Sequence, residues 1–223
     1  MDFRYPHDFY ADRHRQTLHA ARTVLSIVLE LLPPVHSAID LGCGVGTWLA
    51  VLREYGATDV HGVDGPWVDP ALLQIARQDF QVADFEQAIV HRRRYDLAIS
   101  LEVAEHIPES GAGRFVDALV GASDFVLFSA AIPFQGGVGH VNEQWPDYWA
   151  SMFADRGHVT LDVVRSKIWN DRKIPFWYRQ NILLFASCDK VSDILRAGGH
   201  EATPTSPVAL VHPELYLARS IPD

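Results

Sequence analysis

Residues 38–46 read Ala-Ile-Asp-Leu-Gly-Cys-Gly-Val-Gly, and this stretch decides the fold. Its first four residues, Ala38 to Leu41, have the character of the end of a buried strand. Gly42, Gly44 and Gly46 then fall at alternate positions, and Thr47–Tyr55 reads as a helix. A glycine turn between strand and helix lets the backbone approach a ligand where a Cβ would collide. The helix start offers unpaired N–H groups to a negative group. The spacing departs from the dinucleotide fingerprint Gly-x-Gly-x-x-Gly, whose third glycine would fall at Thr47.

Outward from this turn, helical and strand patterns alternate. Phe9–Leu32 carries apolar residues at helical spacing and stops at Pro33-Pro34. Strands are expected at Ser37–Leu41, Asp59–Asp64, Phe80–Ala83, Asp96–Ser100 and Phe125–Ala131, then at Val159–Val163 and Asn181–Ser187. Helices are expected at Gly113–Val120 and Pro146–Gly157, and a short one in the tail after Lys190. Such alternation implies an α/β fold with a doubly wound parallel sheet. The 223 residues suffice for one domain. It divides into a helical cap (1–35), a core (36–190) and a tail (191–223).

Bulk properties narrow the function. Hydrophobic residues make up 48% of the chain, which excludes a disordered protein. The net charge of −9 argues against a nucleic-acid partner, which needs a basic face. Arg92-Arg93-Arg94 is too short to change that and reads as a helix cap leading into a strand. Cys43 and Cys188 form no Cys-x-x-Cys pair, so neither a zinc site nor a disulfide framework is expected. The charged start is no signal peptide, and Val24–Val35, broken by Glu30 and two prolines, is too short for a bilayer. A cytoplasmic protein without membrane contact is expected; a homodimer is compatible with the sequence.

The glycine stretch, with Asp40 inside it, resembles motif I of the class I S-adenosylmethionine-dependent methyltransferases. The resemblance covers roughly residues 36–190. It implies a Rossmann-like seven-stranded sheet of order 3-2-1-4-5-7-6 with strand seven antiparallel, and S-adenosylmethionine as cofactor. In an open parallel sheet, ligands sit beyond the carboxyl ends of the strands. Asp64 closes strand two, where a carboxylate can accept from both hydroxyls of a ribose. The family's adenine-binding acid falls at Asp84, with Phe85 or Trp67 packing on the base. Asp40, Gly42, Gly44, Gly46 and Leu101 complete the expected cofactor set. Arg13 or Tyr10, on the helix that covers the cofactor in similar enzymes, would meet the methionine carboxylate.

Methyl transfer needs an aligned nucleophile and, for an alcohol, removal of its proton. Candidates follow strands four and five. Glu102, Glu105 and His106 stand at i, i+3 and i+4, which on a helical turn would point one way. His140, Asn142 and Glu143 follow a loop containing Gly136, Gly137 and Gly139, whose glycines give it little intrinsic rigidity. Glu102, Glu105, His106 and His140 are therefore expected to form one cluster. Glu-x-x-Glu-His followed by His resembles the metal site of small-RNA 2′-O-methyltransferases and of metal-dependent O-methyltransferases of ubiquinone synthesis. That resemblance implies Mg²⁺ or Mn²⁺. Without a metal, His140 or His106 is the expected general base.

Trp177, Tyr178, Arg179 and Gln180 lie in the connection between the last two strands and are expected to overhang the substrate, with Trp145 beside them. Trp149 is expected in the core. The blocks around Glu102, Phe128, His140 and Tyr178 resemble a group of uncharacterised methyltransferases, some near carbohydrate or natural-product pathways. The expected reaction is O-methylation of a small-molecule acceptor, a sugar or natural product. The rivals are a small-molecule N-methyltransferase, which needs no base, and a non-catalytic cofactor-binding module, which needs no Glu-His cluster. RNA methylation is disfavoured by charge.

Overall fold

A computed structural model describes residues 7–85, 87, 93–192, 194 and 207–220, with side chains from His14 onward within the first helix. Its sheet has seven strands: β1 (Ser37–Leu41), β2 (Asp59–Asp64), β3 (Phe80–Val82), β4 (Leu97–Leu101), β5 (Phe125–Ser129), β6 (His158–Leu161) and β7 (Leu183–Ser187). The order is β3-β2-β1-β4-β5-β7-β6, as expected. The first five strands pair in parallel, and β7 runs antiparallel to both β5 and β6.

The central strands are apolar on both faces because helices cover both. In β5, Phe125 and Leu127 face one core and Val126 and Phe128 the other; in β7, Leu184 and Ala186 oppose Leu183 and Phe185. The first core is closed by α1 (His7–Leu29) and α2 (Thr47–Glu54). The second is closed by α3 (Glu109–Ala122) and α4 (Pro146–Ala154). Trp149 is buried there, against Phe128 with ring centroids 5.4 Å apart, while Phe153 stacks on Phe185 at 3.8 Å. Burial of these rings accounts for several kcal/mol of stability.

Element boundaries moved by a few residues. The α3 helix begins at Glu109, directly after Pro108, four residues before the expected start. Asn181 closes a helix rather than opening β7. The β6–β7 connection contains α5 (Arg165–Ile168) and α6 (Phe176–Asn181), and the tail contains α7 (Pro213–Ser220). Arg94 caps α3 by donating to the carbonyls of Val120 and Gly121, and Arg93 pairs with Asp59 on β2. Arg92 lies outside the described residues. Among the described residues no helix is long and apolar enough to cross a membrane.

Candidate active site

The glycine turn follows β1 without a break in pairing. The amides of Gly42 and Cys43 both donate to the carbonyl of Val63 on β2, at 2.8 and 3.2 Å. Gly42, Gly44 and Gly46 all have positive φ, at 87°, 53° and 82°. A Cβ at Gly42 would meet Val103 Cγ2 at 2.2 Å, whereas one at Gly44 would meet nothing within 4 Å. Gly42 is therefore required by the protein, and Gly44 leaves open space above the turn.

Asp64 sits where expected and does more than expected. Its Oδ2 accepts from the Gly44 amide and its Oδ1 from the Gly65 amide, each at 2.6 Å. It thus holds the glycine turn in place, and with the Trp67 indole also donating to it, one of its four lone pairs is left for a ligand. Burial raises its carboxyl above the ordinary value, and the two amides and the Trp67 side chain oppose that shift. Asp40 lies beneath, 2% exposed, with Oδ2 unbonded. Burial first, and the charge of Asp64 second, push its carboxyl well above the ordinary range. Asp40 is a floor residue, not one facing solvent. Trp67 covers Gly65 and remains 45% exposed. Asp84 is exposed after β3, and Phe85 meets Phe115 edge-on at 5.6 Å. Leu101 is buried at the end of β4.

The first helix reaches the turn through His14, whose Nδ1 lies 3.0 Å from Thr47 Oγ1 at the start of α2. Burial lowers the His14 pKa, and Arg22 adds to this. The side chains of Arg13 and Tyr10 lie outside the described residues. His14 was missed in the sequence, though its neighbour Arg13 was singled out.

After β4, the chain does not make the α-helical turn that the i, i+3, i+4 spacing suggested. Glu102 has φ 57°, and only Ala104–His106 forms a short 3₁₀ turn. The strained backbone at Glu102 is held by its amide, which reaches Ser129 O at 3.0 Å and Ser129 Oγ at 3.1 Å. Its carboxylate is not part of the cluster that the other three residues form. It accepts from Gln135 Nε2 at 2.9 Å and Asn181 Nδ2 at 3.1 Å. The expected four-residue cluster is therefore three residues.

Glu105, His106 and His140 do converge: each offers a ligand atom within 4.8 Å of the others. The two imidazole rings meet edge-on at 4.9 Å. Glu105 is fully buried and neither carboxylate oxygen has a hydrogen-bond partner. Burial, and then the charge of Glu102, push its carboxyl well above the ordinary range. His140 Nδ1 is 2.8 Å from Glu143 Oε1, and His140 Nε2 is 3.9 Å from Glu105 Oε1. Glu143 also accepts from the amides of Phe134 and Gly136. The amides of Val141 and Asn142 donate to the Glu105 carbonyl, which docks this loop on the turn after β4. The glycine loop is thus tied down at several points, despite its glycines.

The connection before β7 differs from expectation. Trp177 is half-buried, but Tyr178 and Arg179 are buried and do not overhang the active face. Tyr178 turns into the core, edge-on to Trp48 at 5.5 Å. The six-residue α6 winds the chain, so successive residues of this stretch face different ways. Gln180 and Asn181 point instead to Gln135, whose Oε1 accepts from both at 3.1 and 2.9 Å. Trp145, at the start of α4, is exposed. Gln135 and Asn181 escaped the sequence reading, because an amide in a loop carries no spacing signal.

The family model for a methyltransferase domain matches residues 11–182. No curated protein sequence matches the chain. Among solved structures, the fold is similar to a sugar N-methyltransferase from Streptoalloteichus sp, at TM-score 0.62 and 16% identity, covering 84% of this chain and 94% of that one. It is similar to a magnesium protoporphyrin IX methyltransferase from Synechocystis PCC 6803 with bound S-adenosylhomocysteine, at TM-score 0.56 and 20% identity, covering 84% and 90%. An O-methyltransferase family protein from Burkholderia thailandensis matches at TM-score 0.59 and 16% identity; the alignment covers 80% of this chain but only 58% of that one.

Proposed function

The chain belongs to the methyltransferase-domain family, among the class I S-adenosylmethionine-dependent enzymes, and we propose that it methylates a hydroxyl of a small molecule, a sugar or natural product. The turn fits the cofactor: the space above Gly44 is open, and Asp64 keeps a lone pair beside it. Asp64 would bind the ribose, Asp84 and Phe85 the adenine, and Trp67 would pack on the base. When bound, S-adenosylmethionine supplies an electrophilic methyl group on a positively charged sulfur.

The observation that carries the reading is the pair His140–Glu143 set against Glu105 and His106. With Nδ1–H donated to Glu143, His140 Nε2 is left as the acceptor that takes a hydroxyl proton. An amine acceptor would not need such a base, and this favours the hydroxyl over N-methylation. A second reading rests on the same residues. A buried carboxylate without hydrogen bonds, facing two imidazoles, fits a divalent cation such as Mg²⁺ or Mn²⁺, which would lower the pKa of a coordinated hydroxyl.

Calorimetry with S-adenosylhomocysteine tests the cofactor site. Binding is expected, and Asp64→Ala should weaken it by about tenfold or more, the cost of losing hydrogen bonds to a charged acceptor. Binding of a nicotinamide dinucleotide in its place would refute the assignment. EDTA followed by Mn²⁺ or Mg²⁺ separates the two chemistries once an acceptor turns over. Turnover lost and regained supports the cation. Turnover indifferent to EDTA but abolished in His140→Ala supports the imidazole base.

A further inference from the structure

Beside α6 lies a groove of about 270 Å³. Arg172, Lys173, Arg179 and Glu214 line it, together with the rings of Phe176 and Trp177. Three cations face one carboxylate, so the groove is positive within a chain of net charge −9. Arg172 and Lys173 are exposed, and neither is in an ion pair among the described residues. Arg179 is only 2% exposed. Its guanidinium donates to the Trp169 carbonyl at 3.1 Å, meets His212 Nε2 at 2.9 Å and pairs with Glu214 at 2.8 Å, and only its Nε is buried without a partner. Among the described residues, Glu214, half exposed on α7, is the carboxylate that pairs with it.

Arg179 is thus held within the protein and lends positive charge to the groove wall, while the planar fork of the exposed Arg172 matches the paired oxygens of a phosphate. The rings of Phe176 and Trp177 meet edge-on at 5.2 Å, which places two aromatic side chains next to the cations. We infer that this groove binds a nucleoside diphosphate group, with its phosphates on Arg172 and Lys173 and its base against Phe176 and Trp177. This group would be the non-reacting end of the acceptor. That role rests on the reading that transfer occurs beside Glu105 and His140. The helix α6 links the two places: Trp177 lines the groove, and Asn181, about 6 Å further along the axis at helical rise, donates to Glu102.

The test uses uridine diphosphate, with uridine as the uncharged control, titrated into the full chain. Uridine diphosphate should bind, weaken as salt is raised and still bind when S-adenosylhomocysteine saturates the protein; uridine should bind far more weakly. The double variant Arg172→Ala/Lys173→Ala should lose about tenfold or more in uridine diphosphate affinity while binding S-adenosylhomocysteine as the wild type does, since two charge-assisted contacts go and both residues are exposed. Equal binding of uridine and its diphosphate would overturn the inference. So would displacement by S-adenosylhomocysteine, or undiminished affinity in the double variant. Failure of the wild type to bind S-adenosylhomocysteine, with the groove behaving as stated, would instead sink the cofactor assignment and leave the groove standing.

Discussion

A methyl group added at Gly42 would lie 2.2 Å from Cγ2 of Val103, on a backbone at φ 87°. Gly42→Ala combines overpacking with a conformation that alanine resists, so a loss of about 2 kcal/mol is expected, or a melting temperature about 4–8 °C lower by calorimetry. The sequence pointed to this glycine for the cofactor, whereas its tightest constraint comes from Val103. Asp40 makes the opposite prediction. Its carboxyl is raised by burial, so the folded state keeps a proton that the unfolded chain releases above about pH 4. Stability contributed by this group is complete below the unfolded pKa and is lost as pH rises through the folded one. Asp40→Asn, neutral at every pH, should therefore melt about 2–4 °C higher than wild type near about pH 8, with the gap closing towards about pH 4. A constant gap across that range would contradict the assignment.

Among the elements, the loop between β5 and α4 turns on one carboxylate. Glu143 accepts from the amides of Phe134 and Gly136 and from His140, and Arg219 of α7 adds a bond to the Gln135 carbonyl at 2.6 Å. Glu143→Ala removes three partners at once. Amide exchange over residues 134–140 should accelerate by about tenfold or more, while β5 and α3 keep their protection. Unchanged exchange would show that the loop is held elsewhere. The sequence placed the chemistry on this loop and on the turn after β4, because alternating elements fix which loops lie at the carboxyl ends of adjacent strands. It misjudged the turn itself. The spacing of Glu102, Glu105 and His106 fits an α-helical turn, but the positive φ at Glu102 and the short 3₁₀ turn separate the first residue from the other two. Nothing local announces that break: it depends on the Ser129, Gln135 and Asn181 contacts, and Asn181 lies 79 residues away.

For the molecule as a whole, the strands and their burial were legible, since strands covered on both faces must be apolar throughout and those runs stand out in the sequence, while their order came from the family resemblance. The closure of the C-terminal segment was not. Arg165 reads as an ordinary surface charge, yet it is 1% exposed, bonded to both carboxylate oxygens of Asp162 and to the carbonyls of Gln180 and Val208. One guanidinium thus joins β6, α6 and the segment leading to α7. Arg165→Ala leaves those carbonyls and Asp162 without their donor, and a loss of about 3 kcal/mol follows, seen as melting about 6–12 °C lower. A shift within about 1 °C of wild type would mean that the segment is held without it.

The two cysteines turn the cofactor cleft into something that can be timed. Cys188 is exposed, while Cys43 is buried in the glycine turn, its thiol pushed well upward by burial and by the nearby Asp64 and Asp40 charges. Maleimide should therefore tag the first at once and the second only during rare openings of the turn. The slow phase of that labelling is a clock on the turn itself, and S-adenosylhomocysteine should slow it in proportion to its occupancy.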